Sequence, residues 1–179
     1  YLNDNQAHDF LSFQIYSKDF GIAEVVYTID EVSRFFTRRL SKALWFGFNI
    51  EFDVTVLAKA LKGKGFEIKV FRSSSHTVKA EISKNKYKWR LFDLKMITRA
   101  SSLKRLGEAV KVPKLDKPFF LGRPDIKEFL RDPYHRVRFE EYALRDAEIC
   151  YYAGKWVLTE FGKVRPTSGS LAVSVFRKH

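Results

Sequence analysis

Hydrophobic positions in this chain change period several times, and each change marks an element. Phe10 to Tyr16 alternates, Asp19-Phe20-Gly21 turns, and Ile22 to Tyr27 alternates again, a pattern that predicts an antiparallel hairpin. Thr28 and Glu31 have the spacing of a capping box. Ile29, Val32, Phe35, Phe36, Leu40 and Ala43 then recur at helical intervals, so an amphipathic helix is expected with Arg34, Arg38 and Arg39 on its outer face. The run from Trp45 to Phe52 is nearly continuous in its apolar character, the mark of a buried strand, and polar Asn49 and Asp53 close it. Asp53 is placed to cap a helix whose Val54, Leu57, Ala58 and Leu61 face inward until Gly63 and Gly65 end it.

Residues 66–93 return to period two. Phe66 to Phe71, Thr77 to Ile82 and Tyr87 to Leu91, separated by serine-rich and Lys-Asn-Lys turns, predict an antiparallel meander. Ser101 or Ser102 opens a helix with Leu103, Leu106, Ala109 and Val110 as its buried stripe. Residues 111–124 hold two of the lysine-proline pairings of a basic loop, and Asp125 is expected to cap a short helix that Asp132-Pro133 stops. From Arg138 to about Thr159 the apolar spacing predicts a longer helix, on which Tyr142 and Asp146 stand one turn apart. Residues 1–162 thus form one expected domain. Residues 163–179, with Arg165-Pro166-Thr167-Ser168-Gly169-Ser170 and a short apolar segment, read as a linker and the start of something further.

Composition narrows the class. The 179 residues are 45% hydrophobic, enough for a substantial core, and carry 33 Lys and Arg against 21 Asp and Glu. That excess of positive charge favours a polyanion such as nucleic acid, although a solvated basic surface gives the same count. The single cysteine, Cys150, excludes an intrachain disulfide and a cysteine-based zinc cluster. No run reaches a membrane span and no leader-like segment opens the chain, so an intracellular, cytoplasmic location and no membrane partner are expected.

Two motifs carry the candidate chemistry. Asn49-x-x-Phe52-Asp53 sits at a strand-to-helix junction, and Tyr142-x-x-x-Asp146 lies on a late helix. Their order and form resemble the three-prime to five-prime exonuclease domain of family B DNA polymerases, in the tyrosine subclass of the DEDD superfamily. Phe92-Asp93-Leu94 at a strand end, Ser102-Leu103-Lys104-Arg105-Leu106 on a helix, and the Arg165 to Leu171 tail look like the protein-primed and viral branch of that family. The resemblance covers about residues 10–176. It implies an α/β, ribonuclease-H-like fold: a mixed five-stranded sheet between helices, with the meander as an inserted embellishment.

The resemblance further implies hydrolysis of single-stranded DNA from its three-prime end, as in proofreading, by two Mg or Mn ions with oxygen ligands. Asp53 and Asp146 would hold metal, Tyr142 would orient the attacking water, and Asn49 would grip the terminal nucleotide. Phe46, Phe48, Phe52 and Val56 would meet its bases, Ser102 and Leu103 by their form, or Asp93 and Leu94 by their position, would contact the strand, and Lys114 or Lys117 the scissile phosphate. Each has a plainer reading as well: core packing for the aromatics and Tyr142, a turn for Asn49, an exposed loop for the lysines, a turn cap for Asp93. The family's first motif, Asp-x-Glu, is not found. Asp4-x-Gln6 is the nearest match, a poor one because Gln is a weak substitute for a metal-binding carboxylate, and the missing strand is expected upstream of Tyr1. A polymerase, in the same parent chain or as a separate subunit, is the implied partner. Without Asp-x-Glu the alternatives are a non-catalytic binding module for single-stranded nucleic acid or polymerase, and a DEDD-type exoribonuclease acting on RNA.

Overall fold

The computed structural model describes residues 10–170. Asp4-x-Gln6 and the Leu171 to Phe176 segment therefore lie outside the described residues. The first hairpin forms as the alternation predicts, with β1 (Phe13–Ser17) and β2 (Ile22–Val26) paired antiparallel about the left-handed Gly21. The capping box also forms: Thr28 and Glu31 bond each other's backbone at the start of α1 (Ile29–Ser33). That helix is much shorter than its apolar spacing suggests. After Ser33 the chain turns, and a 3-10 turn at Leu40–Lys42 follows, yet Val32, Phe35, Phe36 and Leu40 are all buried. Phe35 and Phe36 enter the core from the turn that follows the helix.

β3 (Leu44–Gly47) leads into α2 (Glu51–Leu61). The meander is β4 (Glu67–Ser73), β5 (His76–Lys84) and β6 (Tyr87–Asp93). It proves to be most of the central sheet. The strand order is β3-β6-β5-β4, with β3 parallel to β6 and the other pairs antiparallel, so the sheet is mixed and four-stranded. The hairpin β1-β2 forms a separate sheet where a single five-stranded one was expected.

Helices pack on both faces of the main sheet, fully along one and over β3 and the end of β6 on the other. Leu57 and Leu61 of α2, with Phe35, Phe36 and Leu40, bury Ile82 and Trp89 on one face. On the other, α3 (Leu94–Thr98), α4 (Leu103–Ala109) and the last helix, α6 (Pro133–Phe161), pack Phe92 against Leu106, Ile149, Ala153 and Val157. Ser102 caps α4 by accepting the Arg105 amide at 3.2 Å, while Ala109, expected in the stripe, is exposed.

The short α5 (Ile126–Phe129) has no side-chain cap; Asp125 pairs with Arg123 instead. Asp132-Pro133, read as a stop, is a start. Asp132 accepts the Tyr134 and His135 amides and Pro133 takes the first helical position of α6 (Pro133–Phe161), 29 residues long. α6 also anchors the hairpin: Tyr27 donates to Glu140 at 2.9 Å, Lys155 pairs with Asp19 at 3.1 Å, and the Tyr16 ring meets Tyr151 edge-on. No helix among the described residues is long and apolar enough to cross a membrane.

Candidate functional site

Parallel pairing of β3 and β6 sets Gly47 opposite Asp93, so two strands end at the same edge of the sheet. Gly47 is required there, because a Cβ would fall 2.6 Å from the Ile50 side chain. Asn49 next takes a left-handed φ of 58°, which asparagine tolerates better than most residues. Asp93 fixes this bend. Its carboxylate accepts the amides of Asn49 at 2.9 Å, Ile50 at 3.2 Å and Lys95 at 2.8 Å, and the residue is 3% exposed. It therefore closes the first turn of α3, as its turn-cap reading predicts, and also serves the start of α2, where Ile50 offers no side-chain cap. Asp53, expected to be that cap, is the third residue of the helix, in its first turn, where a negative charge suits the helix dipole.

Burial, and then the negative charge of Asp93, push the Asp53 carboxyl up to about 6. Asp53 keeps surface open to the cleft beside it while protein atoms crowd around it, so cleft water tempers this shift. Asp93 is also raised by burial, against the pull of its three amide bonds and Lys95.

Asp146 reaches the same region from α6. Lys114 pairs with both of its carboxylate oxygens, and each side chain is 20% exposed. Burial raises the Asp146 carboxyl and Lys114 partly offsets the rise. The Lys114 ammonium also rests 4.3 Å from the centroid of the Tyr142 ring, and Arg145 holds the loop down by donating to the Pro113 carbonyl at 3.2 Å. Cys150, one turn beyond Asp146, shows that the carboxylates share one neighbourhood. Its thiol is pushed up to about 12 by burial and then by the charges of Asp146, Asp53 and Asp93.

A cleft of about 780 Å³ opens beside these groups. One wall is residues 11–17, along β1, and the other is residues 43–48, along β3, with Phe52, Asp53 and Val56 of α2 and Asp146, Cys150 and Tyr151 of α6 closing it. Among the described residues β1 is paired only with β2, and β3 only with β6, so each strand has one edge without a partner there.

The remaining expected site residues divide. Phe46 lies against Gly154 of α6, where a Cβ would approach its ring to 2.3 Å, and its ring is tilted 34° to that of Phe92 at 6.2 Å, so it is a core residue that also edges the cleft. Phe48 and Leu103 pack partly into the same core and line the cleft. Phe52 is 57% exposed at the cleft. Asn49 is exposed, and its side-chain oxygen accepts from Lys95 at 3.2 Å. Ser102 serves as a helix cap. Of the two lysines left open, Lys114 meets Asp146, while Lys117 is exposed with its ammonium beside Gly122. Lys95 and Cys150 join the site without having been singled out; Lys95 follows Asp93 by two residues, and that proximity was the only signal.

The carboxylate oxygens of Asp53, and those of Asp146 that Lys114 covers, suit a hard divalent cation in kind. They are two, however, and no group of three or more His, Cys, Asp or Glu side chains able to hold a metal occurs among the described residues. Further oxygen ligands would have to come from elsewhere. Compared with protein-family models, curated proteins and solved structures, the chain matches none of them.

Proposed function

We propose that this domain is a three-prime to five-prime exonuclease module for single-stranded DNA, completed by one additional strand. The observation that supports it is the meeting of Asp53 and Asp146, from two separate motifs, beside a cleft between two unpaired strand edges. A strand seated between β1 and β3 would join the two sheets and bring an Asp-x-Glu pair to the other two aspartates. Asp53 and Asp146 would then hold divalent cations, which when bound supply charge neutralisation of the phosphate and an acidified water. Asp93 contributes by fixing the bend that presents Asn49 and Asp53. Tyr142, one turn before Asp146 on α6, would orient that water. Lys114, now on Asp146, has the charge to meet a phosphate oxygen instead.

The test is a five-prime-labelled single strand incubated with the protein and Mg or Mn, alone and with a peptide carrying an Asp-x-Glu strand. A ladder shortening stepwise from the three-prime end, abolished by Asp53→Ala or Asp146→Ala, is the expected result. A ladder unchanged by both substitutions would overturn the assignment. The Lys114–Asp146 pair favours a second reading, since a cation already satisfies that carboxylate: a non-catalytic module that binds nucleic acid. Salt-sensitive binding without any ladder, with and without the peptide, would decide for it.

A further inference from the structure

The main sheet is covered along one face and only in part along the other. Register places Leu44, Phe46, Arg90 and Phe92 on a common face, which continues through Lys79 and Glu81 on β5 to Lys69 and Phe71 on β4. The α6 side of the core takes in Leu44, Phe46 and Phe92 and no residue of β4 or β5. Beyond Phe92 the same face meets solvent. Lys69, Lys88 and Arg90 are exposed there, and Phe71 is 40% exposed on the edge strand.

The charge on this face is an excess of cations, with Lys69, Lys79, Lys88 and Arg90 against Glu67 and Glu81. Glu81 accepts from Lys79 at 2.9 Å, and Lys79, Lys88 and Arg90 all add to the positive field that holds its carboxyl below the usual range. Lys79 also lies 3.9 Å from the centroid of the Phe71 ring. Residues 62–90 as a whole contain nine lysines and arginines and two glutamates. Cations on neighbouring strands repel one another, and an anion laid across them relieves that cost. An exposed ring among them adds a flat apolar surface, and the combination of basic track and aromatic platform is what single-stranded nucleic acid takes, its bases being free to stack.

We propose that the uncovered face of β4, β5 and β6 docks single-stranded nucleic acid, with Lys69, Lys88 and Arg90 on its phosphates and Phe71 under a base. Arg90 stands three residues before Asp93, about 10 Å along the strand, so a chain lying here leads toward the aspartates. The proposal goes beyond the exonuclease reading and does not rest on it, because docking needs neither a metal nor a complete carboxylate set.

The experiment is fluorescence anisotropy of labelled oligothymidylate in EDTA, where no metal-dependent cleavage occurs, across a salt series. The Lys88→Gln/Arg90→Gln pair is expected to weaken binding about tenfold or more and to flatten the salt slope by about 1.4, two phosphate contacts for a single strand. Phe71→Ala is expected to weaken binding about tenfold and leave the slope unchanged. Circular dichroism checks each fold, and Phe71→Leu, which keeps apolar packing and loses the flat ring, replaces Phe71→Ala if that variant does not fold. Unchanged affinity in folded variants overturns the proposal. So does tighter binding of a duplex of equal length that ignores Phe71, or retention on heparin with no oligothymidylate binding.

Discussion

Lys114, on an irregular loop, covers both carboxylate oxygens of Asp146 on α6. Removing the lysine leaves a partly buried carboxylate without its cation. Lys114→Met is expected to cost about 2 kcal/mol near pH 8, below the range for a fully buried pair because a fifth of each side chain is exposed. Burial already holds the Asp146 carboxyl above its ordinary value, and without Lys114 it rises further. A group raised in the folded state loses stability as pH climbs from its unfolded toward its folded value, so the deficit should shrink at pH 5. Urea midpoints at the two pH values measure it; an equal deficit at both would assign the loss to packing of the lysine stem.

Asp93→Ala removes the acceptor of three amides in one step. With the Ile50 amide buried, the expected loss is about 3 kcal/mol. Hydrogen exchange locates the damage: the amides of Asn49, Ile50 and Lys95 should exchange much faster, ahead of those in β5. Exchange quickened evenly across the sheet would mean that Asp93 supports the fold generally and not this bend.

Asp53→Asn is expected to stabilise the metal-free protein at pH 7. The carboxyl is raised to about 6, so its stabilising contribution is complete below the unfolded value and lost as pH rises through 6. Because the cleft admits water, the gain at pH 7 should be only about 1 kcal/mol, and it should vanish near pH 4. Denaturant unfolding in EDTA at both pH values reads the difference, and a variant less stable than the parent at pH 7 would show that Asp53 has a favourable partner in the fold.

Gly154→Ala drives a methyl group into the Phe46 ring. Overpacking at a rigid contact between β3 and α6 should cost about 2 kcal/mol. Phe46→Leu in the same chain should recover part of that loss, since the smaller side chain vacates the methyl's space. Additive losses in the thermal melts of the double variant would show that the two residues do not share the contact.

Most of the local structure could be read from periodicity alone, as the hairpin about Gly21, the three meander strands and α2 show. What failed had identifiable causes. Phe35 and Phe36 continue a helical pattern and are buried as it implies, but a turn that buries both satisfies the same apolar spacing, and the helix ends at Ser33. Asp132-Pro133 carries the same residues whether it ends one helix or begins the next, and here the aspartate's two amide bonds begin α6. The candidate site was half legible. Asp53, Tyr142 and Asp146 announce themselves by motif, whereas the role of Asp93 at Asn49 depends on which strands pair, and no periodicity encodes a parallel pairing across more than forty residues. The choice between Lys114 and Lys117 likewise depends on how the loop lies against α6, which Arg145 fixes from a distance in sequence.

The hairpin and the main sheet share no strand pairing among the described residues; side chains of α6 hold both. The spacing of the two cleft walls is therefore set by side chains, through contacts of Tyr16, Asp19 and Tyr27 with α6 and of Phe13 with Trp45 and Phe35, and not by a hydrogen-bonded ladder. Such a joint is compliant. At high concentration it also makes the unpaired edges of β1 and β3 the places where a strand from another copy would add, so self-association should rise when Lys155 or Glu140 is lost and fall when the cleft is filled.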